Sequence, residues 1–509
     1  MGGQTVGHLV RRNAWKHPDR EATVHRSGGQ RVAESTYAEF ERRVNRVANG
    51  LADLGVEAGD TVALYMKNNV ETLECFVGAM ILGARPVPVN HRFKGQEVRY
   101  VLDDSGPEVA VVDGFGADTV EEIHDDPLVP VETFLYVGED PPAFADSYEA
   151  FLESASDDAV DVVPDRSDQA ALMYTSGTTG RPKGCRFTHD NLLTLAADGV
   201  YEGDHLEPGN RHLIVTPLFH VGAFVPFITN LYAGGTTVVT DGFDPERVLT
   251  LLEEESINST YFVPTQSRML LSVDDVDEYD LSALESYGTG AAPSGAELKR
   301  ELIETFETDL VESFGQTEAL ATRLPPERTL EKAESVGRPA LSLRMKVVDE
   351  NGNRVPRGEI GRAAYKGPTV FDGYHDMPEK TDEAFDEDGW FVSDDLIRRD
   401  EEGFVYFVGR ADDMIVSGGE NVHPAEVEEV IHEHPDVDEV AVVGVPDETW
   451  GERVKAVVVP GADATDLDAE EVASHVEERI AGYKTPREIE FRSELPRNPT
   501  GKVLKSELA

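Results

Sequence analysis

The stretch Tyr174-Thr175-Ser176-Gly177-Thr178-Thr179-Gly180-Arg181-Pro182-Lys183-Gly184 decides how the rest of the chain is read. It follows an apolar run at 170–174 that reads as a buried strand. Four hydroxyl residues, three glycines and one lysine stand between Thr175 and Gly184. Glycines let successive backbone N–H groups curl toward one anion, and the hydroxyls and the ammonium add donors, so a phosphate is the expected guest. The spacing is not that of a G-x-x-x-x-G-K-[ST] loop, because Pro182 precedes the lysine and Gly184 follows it. Beyond the loop, Cys185, Phe187 and His189 alternate with polar residues. That pattern predicts a second strand, and so a hairpin.

Outward from this loop, strand-like runs alternate with helical patterns, which predicts an α/β fold. Residues 61–66, 108–112, 212–216 and 236–240 read as strands, and 36–54 and 72–83 as helices. No repeat of about 20–50 residues recurs, which excludes solenoids and propellers. Near residue 410 the texture changes. A helix opening at Pro424, strands at 439–445 and 454–459, and a helix at 469–481 predict a small α+β domain. The expected division is a large N-terminal domain of sheets and helices at 1–409, a hinge at 410–413, and a small mobile domain at 414–509.

The 509 residues carry 98 acidic and 46 basic side chains, a net charge of −52. A nucleic-acid surface needs the opposite sign, so that class of partner is excluded. The acid is spread over runs such as 121–126, 274–280 and 466–471, within apolar patterns of folded segments. Such a surface suggests adaptation to molar salt, where charges are screened within about 3 Å. No stretch of about 18 apolar residues predicts a membrane span, and no integral membrane contact is expected. The N-terminal residues lack the apolar block of a secretory signal. Two cysteines, Cys75 and Cys185, provide no disulfide framework. A cytoplasmic, reduced protein is expected, and the sequence leaves open whether it forms a homodimer.

Further short motifs follow the loop in order: Pro217-Leu218-Phe219-His220-Val221-Gly222, Gly288-Thr289-Gly290-Ala291-Ala292-Pro293, and Phe314-Gly315-Gln316-Thr317-Glu318. After them come Gly389-Trp390-Phe391-Val392-Ser393-Asp394-Asp395, Gly409-Arg410, Ser417-Gly418-Gly419-Glu420-Asn421-Val422 and Pro496-Arg497-Asn498-Pro499-Thr500-Gly501-Lys502. Together with the first loop, the series resembles the adenylate-forming (AMP-binding) superfamily from end to end. That superfamily includes acyl- and aryl-CoA synthetases, peptide-synthetase adenylation domains and luciferases. The stretch 410–428 is especially similar to CoA ligases.

The resemblance implies an AMP-forming carboxylate–CoA ligase using ATP, Mg²⁺ and CoA on a small-molecule carboxylate. Thr175, Ser176, Gly177, Thr178, Thr179, Gly180 and Lys183 would cradle the phosphates. Gly290, Ala291, Ala292, Ser313 and Phe314 would flank adenine, where an aromatic face can stack. Phe314 replaces the commoner tyrosine. Thr317 would bond the α-phosphate and Glu318 would hold Mg²⁺, which favours one or two carboxylates plus phosphate oxygens. His220 would position substrate beside the acyl pocket (Val221, Thr289, Gly315 and Leu320) and would not act as a base. Phe219 and Phe224 read as further walls, and Arg268 and Arg323 as nearby cations.

Asp395 and Arg410 would contact ribose or phosphate, although Asp394 stands where the family has glycine. Asp412 would be the hinge, Gly418 and Gly419 would line a thiol tunnel, and Lys502 would bridge carboxylate and α-phosphate. The region around residues 217–222 lacks the Phe-Asp pair of amino-acid-activating members, so the acyl group is expected to be fatty or aromatic. Two other readings stand beside this one: an adenylate-forming enzyme that loads a carrier protein, and a nucleotide-binding regulator without catalysis.

Overall fold

The computed structural model describes residues 4–160, 162–175, 181–202, 208–292, 294–411, 413–417, 420–447, 450–461, 464, 467–497 and 503–509. Its strands and helices follow local chemistry closely. The helix Tyr37–Asp53 starts on a capping box in which Thr36 Oγ1 accepts from the Glu39 N–H and Glu39 accepts from the Thr36 N–H. Its apolar stripe (Tyr37, Phe40, Val44, Val47, Leu51) is buried. The helix Val70–Leu82 is buried almost all round, capped by Asn69 at one end and by Gly83 at φ +84° at the other. The strand Thr61–Tyr65 is buried along its length, as a central parallel strand must be.

The chain divides into two units, the first formed by 1–344 with 365–391, the second by 345–364 with 392–509. Among the described residues the first unit holds a nine-stranded sheet. Its order is Arg338–Pro339, Ala319–Leu324, Asp309–Gln316, Ser286–Gly290, Ser259–Phe262, Arg211–Ile214, Thr236–Thr240, Glu21–Ser27, Gln30–Thr36. The run from Asp309–Gln316 to Glu21–Ser27 is parallel. Phe262, Tyr287, Leu302 and Phe306 pack on it with Val24 and Leu213. A second, five-stranded sheet runs Arg85–Pro88, Thr61–Tyr65, Val109–Asp113, Thr133–Val137, Asp146–Ser147, all parallel. The strands Gln169–Thr175 and Lys183–Thr188 form the expected antiparallel hairpin.

The second unit is smaller. Its long antiparallel pair Val437–Asp447 and Gly451–Pro460 packs against the helices Pro424–His432 and Ala469–Glu477 through Val427, Ile431, Val442, Val454, Val472 and Val476. The α/β class, with a large N-terminal and a small C-terminal domain, is as expected. The strands Arg344–Val348, Gly361–Lys366, Phe391–Arg399 and Val405–Arg410 form one four-stranded sheet, which ties 345–364 to 392–410 within the second unit. Asp412, the expected hinge residue, lies outside the described residues.

A buried ion pair braces the loops that follow the strands Ser286–Gly290 and Asp309–Gln316. Lys299, on the helix Ala296–Phe306, meets Glu312, and both side chains are 2% exposed. The lysine also donates to the carbonyl oxygens of Ala333 and Ser335, while Glu312 Oε1 accepts from the Ser294 N–H. Removing one partner of such a pair strands a buried charge. Lys299→Met is expected to destabilise the fold by about 3–5 kcal/mol. Lys299→Met with Glu312→Leu should recover a large part of that, as read by denaturant unfolding of both variants.

Candidate functional site: two hairpins and a connecting segment

Two of the sequence motifs meet in the first unit because parallel pairing aligns their strands. Tyr261 pairs with Gly288, and Gly290 with Ser313, so the 288–292 turn and the 313–318 motif leave the same sheet end side by side. Close backbone approach dictates the glycines here. A Cβ on Gly290, whose φ is +157°, would fall 2.1 Å from the Ser313 carbonyl oxygen. One on Gly315 would fall 2.4 Å from that of Ala319. Ala291 sits at φ +67°, a strained left-handed position for a residue with a side chain. Ala291 and Ala292 are exposed and Phe314 is half-buried, so these surfaces are open to a planar ligand.

Strands Asp309–Gln316 and Ala319–Leu324 form a hairpin in which Gln316 pairs with Ala319. Thr317 and Glu318 are therefore its two turn residues. In the other hairpin, Thr175 pairs with Lys183 and closes the phosphate loop. Thr175 Oγ1 is buried there without a hydrogen-bond partner among the described residues, as a donor awaiting an anion would be. Ser176, Gly177, Thr178, Thr179 and Gly180 lie outside the described residues.

The segment 370–375 connects the two hairpins. Val370 bridges Ala319, and the Phe371 N–H donates to the Glu318 carbonyl at 2.9 Å. Tyr374 bridges Cys185, and the His375 N–H donates to the Gly184 carbonyl at 2.8 Å. Between them the Tyr374 hydroxyl donates to Glu318 Oε1 at 2.8 Å and accepts from Lys183 Nζ at 3.3 Å. The loop lysine and the candidate metal carboxylate, 135 positions apart by subtraction (318 − 183), thus share one phenol. Among the described residues, no group of three or more His, Cys, Asp or Glu side chains could hold a metal by itself. A single anchored carboxylate fits Mg²⁺ bound largely through phosphate oxygens.

His220 caps the helix Val221–Ala233, its Nδ1 accepting from the Gly222 N–H at 3.0 Å. Burial lowers its pKa, which keeps the imidazole neutral and able to accept that bond. Val221 and Thr289 are buried, Thr289 reaching Ser294 Oγ at 3.4 Å, while Leu320 is half-buried opposite Gly315. Phe224 packs edge-on against Phe76 at 4.9 Å and is fully buried. Phe219 instead meets His91 at 5.3 Å. Arg323 lies 3.7 Å from Glu202, and Arg268 is exposed on its helix.

Tyr261 went unnoticed in the sequence. A Cβ on Gly290 would fall 2.8 Å from its hydroxyl, and one on Gly222 3.5 Å from its ring. It therefore joins the 217–222 motif to the 288–292 turn. Its only sequence signal was an aromatic in a buried strand, which ordinarily means core. An open cleft of about 380 Å³ lined by Arg344, Lys366, Phe371 and Phe385 contains none of the expected site residues.

In the second unit, Asp395 and Arg410 are register partners, 3.3 Å apart, with Asp395 buried. Asp394, in place of the usual glycine, is held by Arg362 at 2.6 Å. Lys484 is pinned between both oxygens of Glu426 at 2.6 Å, a structural role. Arg497 bridges Val503 and so closes the C-terminal loop at its base. Lys502, Gly418 and Gly419 lie outside the described residues.

Residues 10–375 match the AMP-binding enzyme family, and residues 426–502 match the AMP-binding enzyme C-terminal domain. The chain is 37% identical to a feruloyl-CoA synthase of Amycolatopsis over 511 residues, covering 100% of this chain and 99% of that protein. It is 36% identical to the long-chain-fatty-acid–CoA ligase FadD13 of Mycobacterium tuberculosis, covering 99% and 98%. The crystal structure of ATP-bound MatB from Rhodopseudomonas palustris superposes with a TM-score of 0.89 at 31% identity, covering 99% and 98%.

The cap bond of His220 makes a testable claim. His220→Ala should cost about 1 kcal/mol of stability, whereas His220→Asn, which keeps an acceptor, should cost only a few tenths. Equal losses in thermal unfolding would mean the cap contributes nothing.

Proposed function

The chain belongs to the AMP-binding enzyme family, and we propose that it is an AMP-forming acid–thiol ligase making acyl-CoA from a fatty or aromatic acid. The observation that carries this is the meeting of the closed phosphate loop, the Thr317–Glu318 turn and the Gly290–Ser313 pairing in one unit. Relatives that match over nearly the whole chain act on one aryl and one long-chain acid, as their names state, and support the substrate class.

In the first half-reaction a carboxylate oxygen attacks the α-phosphorus of ATP, the bond to the β-phosphate breaks, and pyrophosphate leaves with the electron pair. Fixed positive charge and aligned N–H groups supply most of the stabilisation in such transfers. The N–H groups of 175–180 and Lys183 are assigned to the phosphates, Thr317 to the α-phosphate, and Phe314 with Gly290–Ala292 to adenine. Lys502 is assigned to the carboxylate and α-phosphate together. Mg²⁺, held by Glu318 and phosphate oxygens, would neutralise charge on the leaving pyrophosphate.

In the second half-reaction the CoA sulfur attacks the acyl carbon, the bond to AMP breaks, and the thiol proton is released. The smaller domain is read as moving between the halves about Asp412, which withdraws Lys502 and brings Gly418-Gly419 to the site. Asp395 and Arg410 are assigned to ribose and phosphate. His220 is assigned to positioning the acid, since its Nδ1 lone pair is committed to the Gly222 N–H and the neutral ring carries its proton on Nε2. The net charge of −52 is read as adaptation of a cytoplasmic enzyme to molar salt.

The test is AMP release by purified protein in molar potassium chloride with MgATP, with and without CoA, across fatty, aryl, dicarboxylic and amino acids. CoA-dependent AMP from fatty or aryl acids is expected. ATP–pyrophosphate exchange without any CoA-dependent product would transfer the reading to a carrier-protein acceptor. Lys502→Met should slow adenylate formation by about 10²–10³-fold, a loss typical of removing one electrostatic contact. Thioester formation from preformed acyl-adenylate should survive the substitution. Equal loss in both halves would contradict the assigned role.

A further inference from the structure

Tyr374 belongs to none of the motifs that suggested the site, yet its position is fixed from every side. The Gly373 carbonyl accepts from the Arg186 N–H at 3.0 Å, and the Tyr374 N–H donates to Thr381 Oγ1 at 3.0 Å. Gly373, at φ +96°, has room for no Cβ: one would fall 2.7 Å from Thr381 and from the Arg186 guanidinium. Asn191 Nδ2 holds the carbonyl oxygens of Pro368 and Val370 at 2.8 and 3.0 Å. The ring packs edge-on against Phe371 at 4.8 Å and is 5% exposed.

The direction of its hydrogen bonds follows from the chemistry of the partners. An ammonium only donates and a carboxylate only accepts. The single phenolic proton therefore goes to Glu318 Oε1, and a lone pair receives Lys183 Nζ, which also lies 4.3 Å from the ring centroid. Polarisation by the ammonium strengthens the donation onward. That bond fixes the rotation of the carboxylate and occupies part of Oε1, which makes Oε2 the less encumbered oxygen for a metal. Single-oxygen ligation suits the tight octahedral shell of Mg²⁺.

We infer that Tyr374 is a positioning residue: it holds Glu318 so that one carboxylate oxygen faces the metal, and it ties that carboxylate to the phosphate-loop lysine. This rests on Glu318 being the metal carboxylate. Outer partners of metal ligands typically carry about 10–100-fold in metal affinity or activity.

The test is Mn²⁺ binding, by electron paramagnetic resonance, to the full chain with a non-reacting ATP analogue. It is run on the parent, Tyr374→Phe and Glu318→Gln, with thermal unfolding alongside. Tyr374→Phe keeps the ring against Phe371 and should weaken Mn²⁺ binding about 10-fold or more. Its apparent Mg²⁺ requirement for AMP formation should rise in parallel, with kcat at saturating Mg²⁺ falling much less. Parent-like Mn²⁺ affinity in Tyr374→Phe, with loss in Glu318→Gln, overturns the role of Tyr374 alone. Parent-like affinity in both overturns the metal reading of Glu318 and this inference with it. Should Tyr374→Phe unfold, 4-fluorophenylalanine placed at 374 fills the hydroxyl's space without a proton to donate. Mn²⁺ binding must then weaken as expected for the phenylalanine variant, and parent-like affinity counts against the inference.

Discussion

Main-chain pairing of the segment 370–375 with two hairpins is the constraint on which the first unit's site depends. On one side it takes the Glu318 carbonyl, on the other the Gly184 carbonyl. Backbone hydrogen bonds are directional and nearly obligatory once buried, so this arrangement sets the separation of the two turns more firmly than side-chain contacts could. The Thr175–Lys183 loop and the Thr317–Glu318 turn have little apolar surface of their own. They borrow rigidity from strands that do: Gln169–Thr175 is buried at Ala170–Met173, and Ala319–Leu324 at Ala319, Ala321 and Leu324.

Positioning also explains where small residues fall. The 288–292 turn and the 313–318 motif approach so closely that a methyl on Gly290 would overlap the Ser313 carbonyl, and one on Gly315 would overlap the Ala319 carbonyl across its own hairpin. That closeness leaves the faces of Ala291, Ala292 and Phe314 available to a flat base. Behind it lies the Lys299–Glu312 pair, an interaction that favours one arrangement of these loops over others at some cost in desolvation.

Much of this could be read from the residues themselves. The hairpin at 169–188 followed from the alternation of Cys185, Phe187 and His189 beyond the loop, and the helix at Pro424 from proline in its first turn. Motif order gave the family. What escaped was tertiary. The contact of Phe224 with Phe76 joins helices far apart in sequence and has no local signal. Tyr261 and Tyr374 stand in buried strand-like stretches, where an aromatic ordinarily means core; only the fold shows what their hydroxyls reach. The pairing of 345–364 with 392–410 in one sheet joins stretches distant in sequence, which no local pattern encodes.

The central claim is that a carboxylate oxygen attacks the α-phosphorus of ATP. Its most direct test is oxygen transfer from an ¹⁸O-labelled fatty or aryl acid during CoA-dependent turnover, followed by mass spectrometry of the products. The account predicts AMP carrying one ¹⁸O from the acid, with pyrophosphate unlabelled. Label in inorganic phosphate, with ADP as the nucleotide product, would place the attack at the γ-phosphorus and contradict it.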